Sequence, residues 1–301
     1  MKKISLVTII LILAVILAPV SSISADQIEI GIVEWPDALA PAVLTQQIAE
    51  DHFDKSVDIT SVDKEITYLG VSENDFDMTF SVWMPNTDFR YVYEVKEGFE
   101  VLHPPYYYNA LIGWYVPDYV DVESIEDLQD PEIADKFDNE VIGIDPGAAI
   151  TEASEEALEA YDLEEYYDLV VSSEAAMMAE VDSAYRNEEP IIATLWRPHW
   201  AFADYDMNLL EDPKGIFGEE DNVHIGLNRE FRQKYPELAD ALQRIDLNTP
   251  DIPGATEEMR EEEFDYMAEM MLYGEEADVF EEGVIEWYEE NQDIVEEWVN
   301  P

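Results

Sequence analysis

The chain has 301 residues, 47% hydrophobic and 12% aromatic, with 71 acidic side chains against 15 basic ones and a formal net charge of −56. The aromatic content argues against a disordered acidic chain, and the charge argues against nucleic acid or an anionic membrane surface as partner, because both demand a basic face. The absence of cysteine excludes disulfides, thiolate metal sites, cysteine nucleophiles and a cysteine-linked lipid anchor. Self-repulsion on this scale opposes a compact state in dilute buffer. At about 1 M salt the Debye length is about 3 Å, so the composition points to a protein that works in strong brine.

The chain opens on Lys2 and Lys3, then the apolar run "ISLVTIILILAVILAPV", then "SSISAD". That order is the order of a secretory signal, with the cut expected after Ala25. The apolar run is near the lower limit for a bilayer span, so an uncleaved anchor is the alternative reading of residues 1–25. Either way the rest of the chain is expected to be exported, periplasmic or at the cell surface.

From residue 27 the pattern alternates. "QIEIGIV" (27–33) reads as a strand, "ALAPAVLTQQIAEDHF" as a helix, "SVDIT" (56–60) and "DFDMTFSVW" (75–83) as strands. This is the βαβ rhythm of a doubly wound sheet. A second run starts at "YYYNALIGWYV" (106–116). It continues through the strand "EVIGIDPG" (140–147), the helix "AITEASEEALEAYDL" (149–163), the strand "YDLVVSS" (167–173), a helix, and the strand "PIIATLWRP" (190–198). Thr151 is a candidate N-cap for the helix at 149, with Glu152 and Glu155 near its positive end. After about residue 228 the pattern is helical, and the acidic runs near 257–299 read as solvated helix faces. No flexible linker separates the two runs. A hinge of crossing strands is therefore expected, near Tyr106–Ala110 and near Phe202–Asp206. Lobe 1 would comprise 26–108 and 206–301, and lobe 2 would comprise 109–205.

Three of the expected strands end on tryptophan: Trp35, Trp83 and Trp196. Ligands of open α/β sheets bind beyond the carboxyl ends of the strands. Indole faces there suit a poorly hydrated cation such as a quaternary ammonium group, and a stacked sugar is the rival guest. Trp114, Trp200, Trp287 and Trp298 are assigned to packing, with Trp200 a candidate for a supporting layer. His52, His103, His199 and His224 are scattered without ligand spacing, so neither a metal nor a cofactor is expected.

The segments "GIDPGAAITEAS" (143–154) and "LWRPHWAFADYDMNLLEDPKGIFG" (195–218), with looser support from "IVEWPDALA" and "VWMPNTD", resemble the substrate-binding proteins of ABC importers for glycine betaine and related quaternary amines. The resemblance spans the chain after residue 25. It implies an α/β, two-lobed periplasmic-binding-protein fold of type II, each lobe a doubly wound sheet, with the ligand in the inter-lobe cleft. It also implies binding without chemistry, delivery to an ABC permease, and a monomer. Trp35, Trp83 and Trp196 carry over as the cage for trimethylammonium. The turn Gly147-Ala148-Ala149-Ile150 carries over as the backbone site for a ligand carboxylate, with Ala149 and Ile150 foremost. His199 and Tyr108 are further contact candidates, beside Tyr106 and Tyr107.

Two positions keep the ligand open. Many members of the family carry histidine five residues after the second cage tryptophan, where this chain has Asp88. An ionised Asp88 facing the pocket would repel a carboxylate. Choline-binding relatives place an acid two residues after the first tryptophan, and Asp37 stands there. Glycine betaine is the first expectation and choline the alternative. A secreted glycosidase using paired carboxylates is a remote third, without a supporting motif.

Overall fold

The computed structural model describes residues 27–248 and 265–301. The expected signal segment and part of the acidic stretch near 257–299 lie outside the described residues. The strands are β1 (Gln27–Ile32), β2 (Ser56–Ser61), β3 (Met78–Met84), β4 (Phe99–Val101), β5 (Tyr107–Pro117), β6 (Glu140–Gly143), β7 (Asp168–Val171), β8 (Ala193–Arg197), β9 (Met207–Leu209) and β10 (Asp221–Asn228). The helices that frame the site are α1 (Pro36–Phe53), α2 (Lys64–Glu73), α3 (Phe89–Val95), α4 (Ala149–Ala160) and α5 (Glu174–Asn187). Three more close the chain: α6 (Tyr266–Glu276), α7 (Phe280–Glu290) and α8 (Gln292–Val299).

The strand order is β2-β1-β3-β10-β5-β8-β6-β7, with β4 on β10 and β9 on β5. In the first half, β1 runs parallel to β2 and β3. In the second half, β6 runs parallel to β7 and β8. The two antiparallel strands β10 and β5 join the halves. Tyr107 and Ala110 of β5 pair with β10, and Leu111–Tyr115 pair with β8. Further along, Tyr115–Pro117 pair with β9. Thus one continuous strand serves both halves, and the carboxyl ends of β1, β3, β6 and β8 meet across a cleft.

Local chemistry accounts for the elements at that cleft. Trp35 ends the β1 segment in extended backbone and is the N-cap of α1; its carbonyl accepts from the Ala38 and Leu39 N–H groups. Pro36 follows at the first helical position, where a missing N–H costs nothing. Gly31 and Gly70 make room for the Phe76 ring, since a Cβ at either would fall within 2.3 or 2.5 Å of it. Helices α6 and α7 return to pack against α1.

Several local readings change. Strand β10 is absent from the sequence reading, although it is central. From Val223 to Asn228 it is buried throughout, so it lacks the alternation of a half-exposed strand. The helix at 149 is capped by Ala148, not Thr151. Thr151 lies inside the helix and its hydroxyl donates to the Ile144 carbonyl at 3.3 Å. The helix expected through "REFRQKYPELADALQRI" divides at Pro236 into Phe231–Lys234 and Pro236–Leu242.

Candidate functional site

A small, narrow pocket opens between the two halves of the sheet. Trp35, Trp83 and Trp196 all line it. The Trp35 and Trp196 ring centroids are 6.2 Å apart and tilted by 50°. Asp37, Ala149 and Ile150 line the same space, and the floor includes Ile112 and Ile144.

Each indole N–H is tied to an acceptor. Trp35 Nε1 donates to Asp145 Oδ2 at 3.1 Å. Trp196 Nε1 donates to Asp37 Oδ1 at 3.2 Å. Trp83 Nε1 donates to Ser81 Oγ at 2.8 Å, and the Ser81 hydroxyl donates in turn to Asp37 Oδ2. Asp37, in the first turn of α1 and 2% exposed, is therefore the hub that orients two of the three rings. Fixed edges leave the π faces as the surface on offer. Burial holds the Asp37 carboxyl above its usual range, opposed in part by the Ser81 hydrogen bond and the Lys64 charge.

A β-bulge sets Ser81 in place. The register of β3 against β10 shifts between Thr79 and Val82, and Ser81 adopts φ +59°, an unusual conformation for a residue with a Cβ. Its N–H donates to the Tyr106 hydroxyl at 3.0 Å. Bulges of this kind re-aim side chains beside functional sites; here the one in β3 turns Ser81 toward Asp37.

The opposite wall is the N-terminus of α4. The Ala148 N–H is used by Asp145 and the Thr151 N–H by Ala148. The Ala149 and Ile150 N–H groups find no hydrogen-bond partner among the described residues. Unpaired N–H groups at the positive end of a helix form a ready anion site.

Asp88 does not line this cavity. It is fully buried behind Trp83. Its Oδ2 accepts from the Trp83 N–H and the Tyr68 hydroxyl, both at 2.8 Å, and its Oδ1 faces Lys64 Nζ at 2.9 Å. Lys64, unmarked by the sequence reading, does line the cavity, as does Thr87. The signal available for Lys64 was its rarity: a cation opening a helix in a chain with 15 basic residues.

The remaining candidates fall outside the cavity. His199 is 1% exposed; its Nδ1 accepts from the Ala201 N–H, so the proton sits on Nε2, 3.2 Å from Glu174. Its ring stands edge-on to Trp196 at 4.7 Å and props it. Gly147 lines a wider outer cleft with Arg90 and Glu152. Tyr108 is 41% exposed, its backbone N–H bound to Asn248. Contacts bridge the cleft from α3 to the α4 side: Arg90 pairs with Glu152 at 3.1 Å, and the Tyr91 hydroxyl donates to the Gly147 carbonyl at 3.3 Å. Among the described residues no group of three or more His, Asp or Glu converges as a metal site.

Residues 26–268 match the family model described as the substrate binding domain of ABC-type glycine betaine transport systems. The chain belongs to that family. Its members are substrate-binding components of transport systems, not enzymes. The glycine betaine/carnitine transport binding protein of Listeria monocytogenes is 28% identical over 170 residues, 56% of this chain and 52% of the relative. The chain thus spans about half the length of that curated relative. Among solved structures, lactococcal OpuAC, closed and complexed with glycine betaine, is 27% identical with TM-score 0.78, covering 91% of this chain and 100% of that one. The glycine betaine/L-proline-binding protein of Borrelia burgdorferi is 30% identical with TM-score 0.77, covering 91% and 96%. A choline binding protein complexed with choline shares the fold at 20% identity, TM-score 0.74 and 92% coverage of each chain. The periplasmic-binding-protein fold expected from the sequence is the fold of these family structures.

Proposed function

We propose that this chain is an extracytoplasmic receptor that binds glycine betaine, or a related quaternary ammonium solute, in the tryptophan-lined cavity and delivers it to an ABC permease. The observation that carries the reading is the cage. Three indoles have their N–H groups tied down and their faces on one cavity, and the free N–H groups of Ala149 and Ile150 stand on its other wall. Each indole face contributes roughly 0.5–2 kcal/mol toward a cation. The helix end supplies the complementary site for a carboxylate. The relatives and solved structures in the same family that carry glycine betaine in their names support the choice of ligand.

Asp37 favours a second reading, choline, because a carboxylate in the wall can accept a hydroxyl. Both Asp37 oxygens already hold the cage, through Ser81 and Trp196, which leaves that role the weaker one. The net charge of −56 supports service in a salt-adapted cell, and residues 1–25 are read as the export signal. The lobes are proposed as 26–108 with 206–301 and as 109–205; the pairing of β9 with β5 favours a return later than the expected Phe202–Asp206, between Leu210 and Asp221. Trp35, Trp83 and Trp196 are the proposed cation contacts; Ala149 and Ile150 are the proposed carboxylate contacts.

Intrinsic tryptophan fluorescence tests the reading. Glycine betaine should change the emission in a saturable way, and Trp83→Ala should weaken the apparent affinity by about tenfold or more, the equivalent of about 1.4 kcal/mol. An unchanged titration curve for Trp83→Ala would remove Trp83 from the site.

A further inference from the structure

Lys64 occupies a position that helix energetics disfavour. It is the first residue of α2, where the helix dipole is positive and a cation is repelled. It is also 6% exposed, and burying an ammonium is costly unless it is paired. Its pairing is with Asp88 Oδ1 at 2.9 Å, and its second contact is the Ser81 carbonyl at 3.5 Å. An ammonium has three N–H donors. The Ser81 carbonyl accepts one of them at the limit of reach, whereas Asp88 Oδ1 is held at ion-pair distance without hydrogen-bond geometry, and the side chain lines the cavity shared by the three tryptophans and by Ala149 and Ile150. Nζ lies 5.2 Å from the Trp35 ring centroid.

Buried ion pairs of this kind add little to stability when compared with apolar side chains of similar size. Here the pair has another consequence. It covers the carboxylate that would repel an anionic ligand group, and it puts one positive charge in the wall of the cavity. We infer that Lys64 is a specificity-determining residue of the proposed site: its ammonium reads the carboxylate of a zwitterionic quaternary ammonium ligand, and its charge works against quaternary monocations that lack a carboxylate. The inference rests on the binding reading above and narrows it to zwitterions. Asp88 is the positioning residue, holding Lys64 through one oxygen and the Trp83 backbone through the other. In a cavity of low dielectric such a charge acts more strongly than it would in water.

Parallel titrations with glycine betaine and choline test it, because loss of structure alone would weaken both ligands while a charge reader moves their ratio. Lys64→Met/Asp88→Asn removes both charges without stranding either. The choline-to-betaine ratio of Kd values should fall by about tenfold or more in this variant, whereas Lys64→Arg should hold it within about threefold of the unaltered protein. Lys64→Gln, which keeps a donor for Asp88, reads the same ratio if the double variant does not fold. A response to both ligands with an unchanged ratio in the charge-free variant would overturn the role of Lys64 and leave the binding reading intact. No response of the unaltered protein to either ligand would overturn the binding reading, and this inference with it.

Discussion

Asp37 holds Trp196 directly and Trp83 through Ser81, so one carboxylate sets two walls of the cavity. Burial raises its folded pKa above 3.8. The sign for folding follows: the protonated form is favoured in the fold, so this contribution to stability is present below pH 3.8 and is lost as pH rises through the folded value. The sign for binding is the reverse, because a cation prefers the ionised neighbour. Affinity for a quaternary ammonium ligand should weaken on acidification already above pH 3.8, and Asp37→Asn should flatten that part of the profile; titrations at stepped pH measure it. Ser81→Ala would leave the Trp83 indole N–H and one Asp37 oxygen without this partner. A loss of about 1–3 kcal/mol in denaturant unfolding is expected, as for other buried groups deprived of a hydrogen bond. The three tryptophans were legible because strand ends are marked by composition and spacing. Asp88 stood out but its role did not, and Lys64 did not stand out at all, because what they do depends on a contact between a helix start and a loop far along the chain.

At the scale of elements, the βαβ rhythm in both halves was readable, since each strand–helix unit carries its own periodicity. The joining strand β10 was not readable. Its sequence "DNVHIGLN" mixes polar and apolar residues, yet it is sandwiched between β3 and β5. His224 lies in it, with Nδ1 at 2.9 Å from the Leu102 carbonyl and the ring edge-on to His103. Burial lowers the His224 pKa below 6.5. The neutral ring is therefore favoured by folding, and its stabilising contribution is present above pH 6.5 and lost as pH falls through the folded value. The drop in Tm between about pH 7.5 and about pH 5.5 should be smaller for His224→Gln than for the unaltered protein. The α4 N-terminus was legible through "DPGAAIT" as a turn leading into a helix, although its cap was misassigned. Thr151 has the right chemistry for a cap but sits one turn too far in, bonded to Ile144.

For the whole molecule, charge is the governing quantity. With a formal charge of −56, mutual repulsion is screened only when the Debye length becomes short. Tm should rise between about 0.1 M and about 2 M sodium chloride, over which screening shortens from about 10 Å to below about 3 Å; a flat Tm would contradict the salt-adapted reading. Hydrogen bonds cross the cleft from the Trp35 indole to Asp145 and from the Trp196 indole to Asp37, so in the proposed reading ligand and fold share the same side chains. The central claim is that this cavity binds a quaternary ammonium zwitterion. Isothermal titration of the unaltered protein with glycine betaine in high-salt buffer tests it most directly. One site per chain with a Kd of about micromolar order, or about 8 kcal/mol, is the predicted result. The absence of heat with glycine betaine, choline, carnitine and proline betaine alike would contradict it.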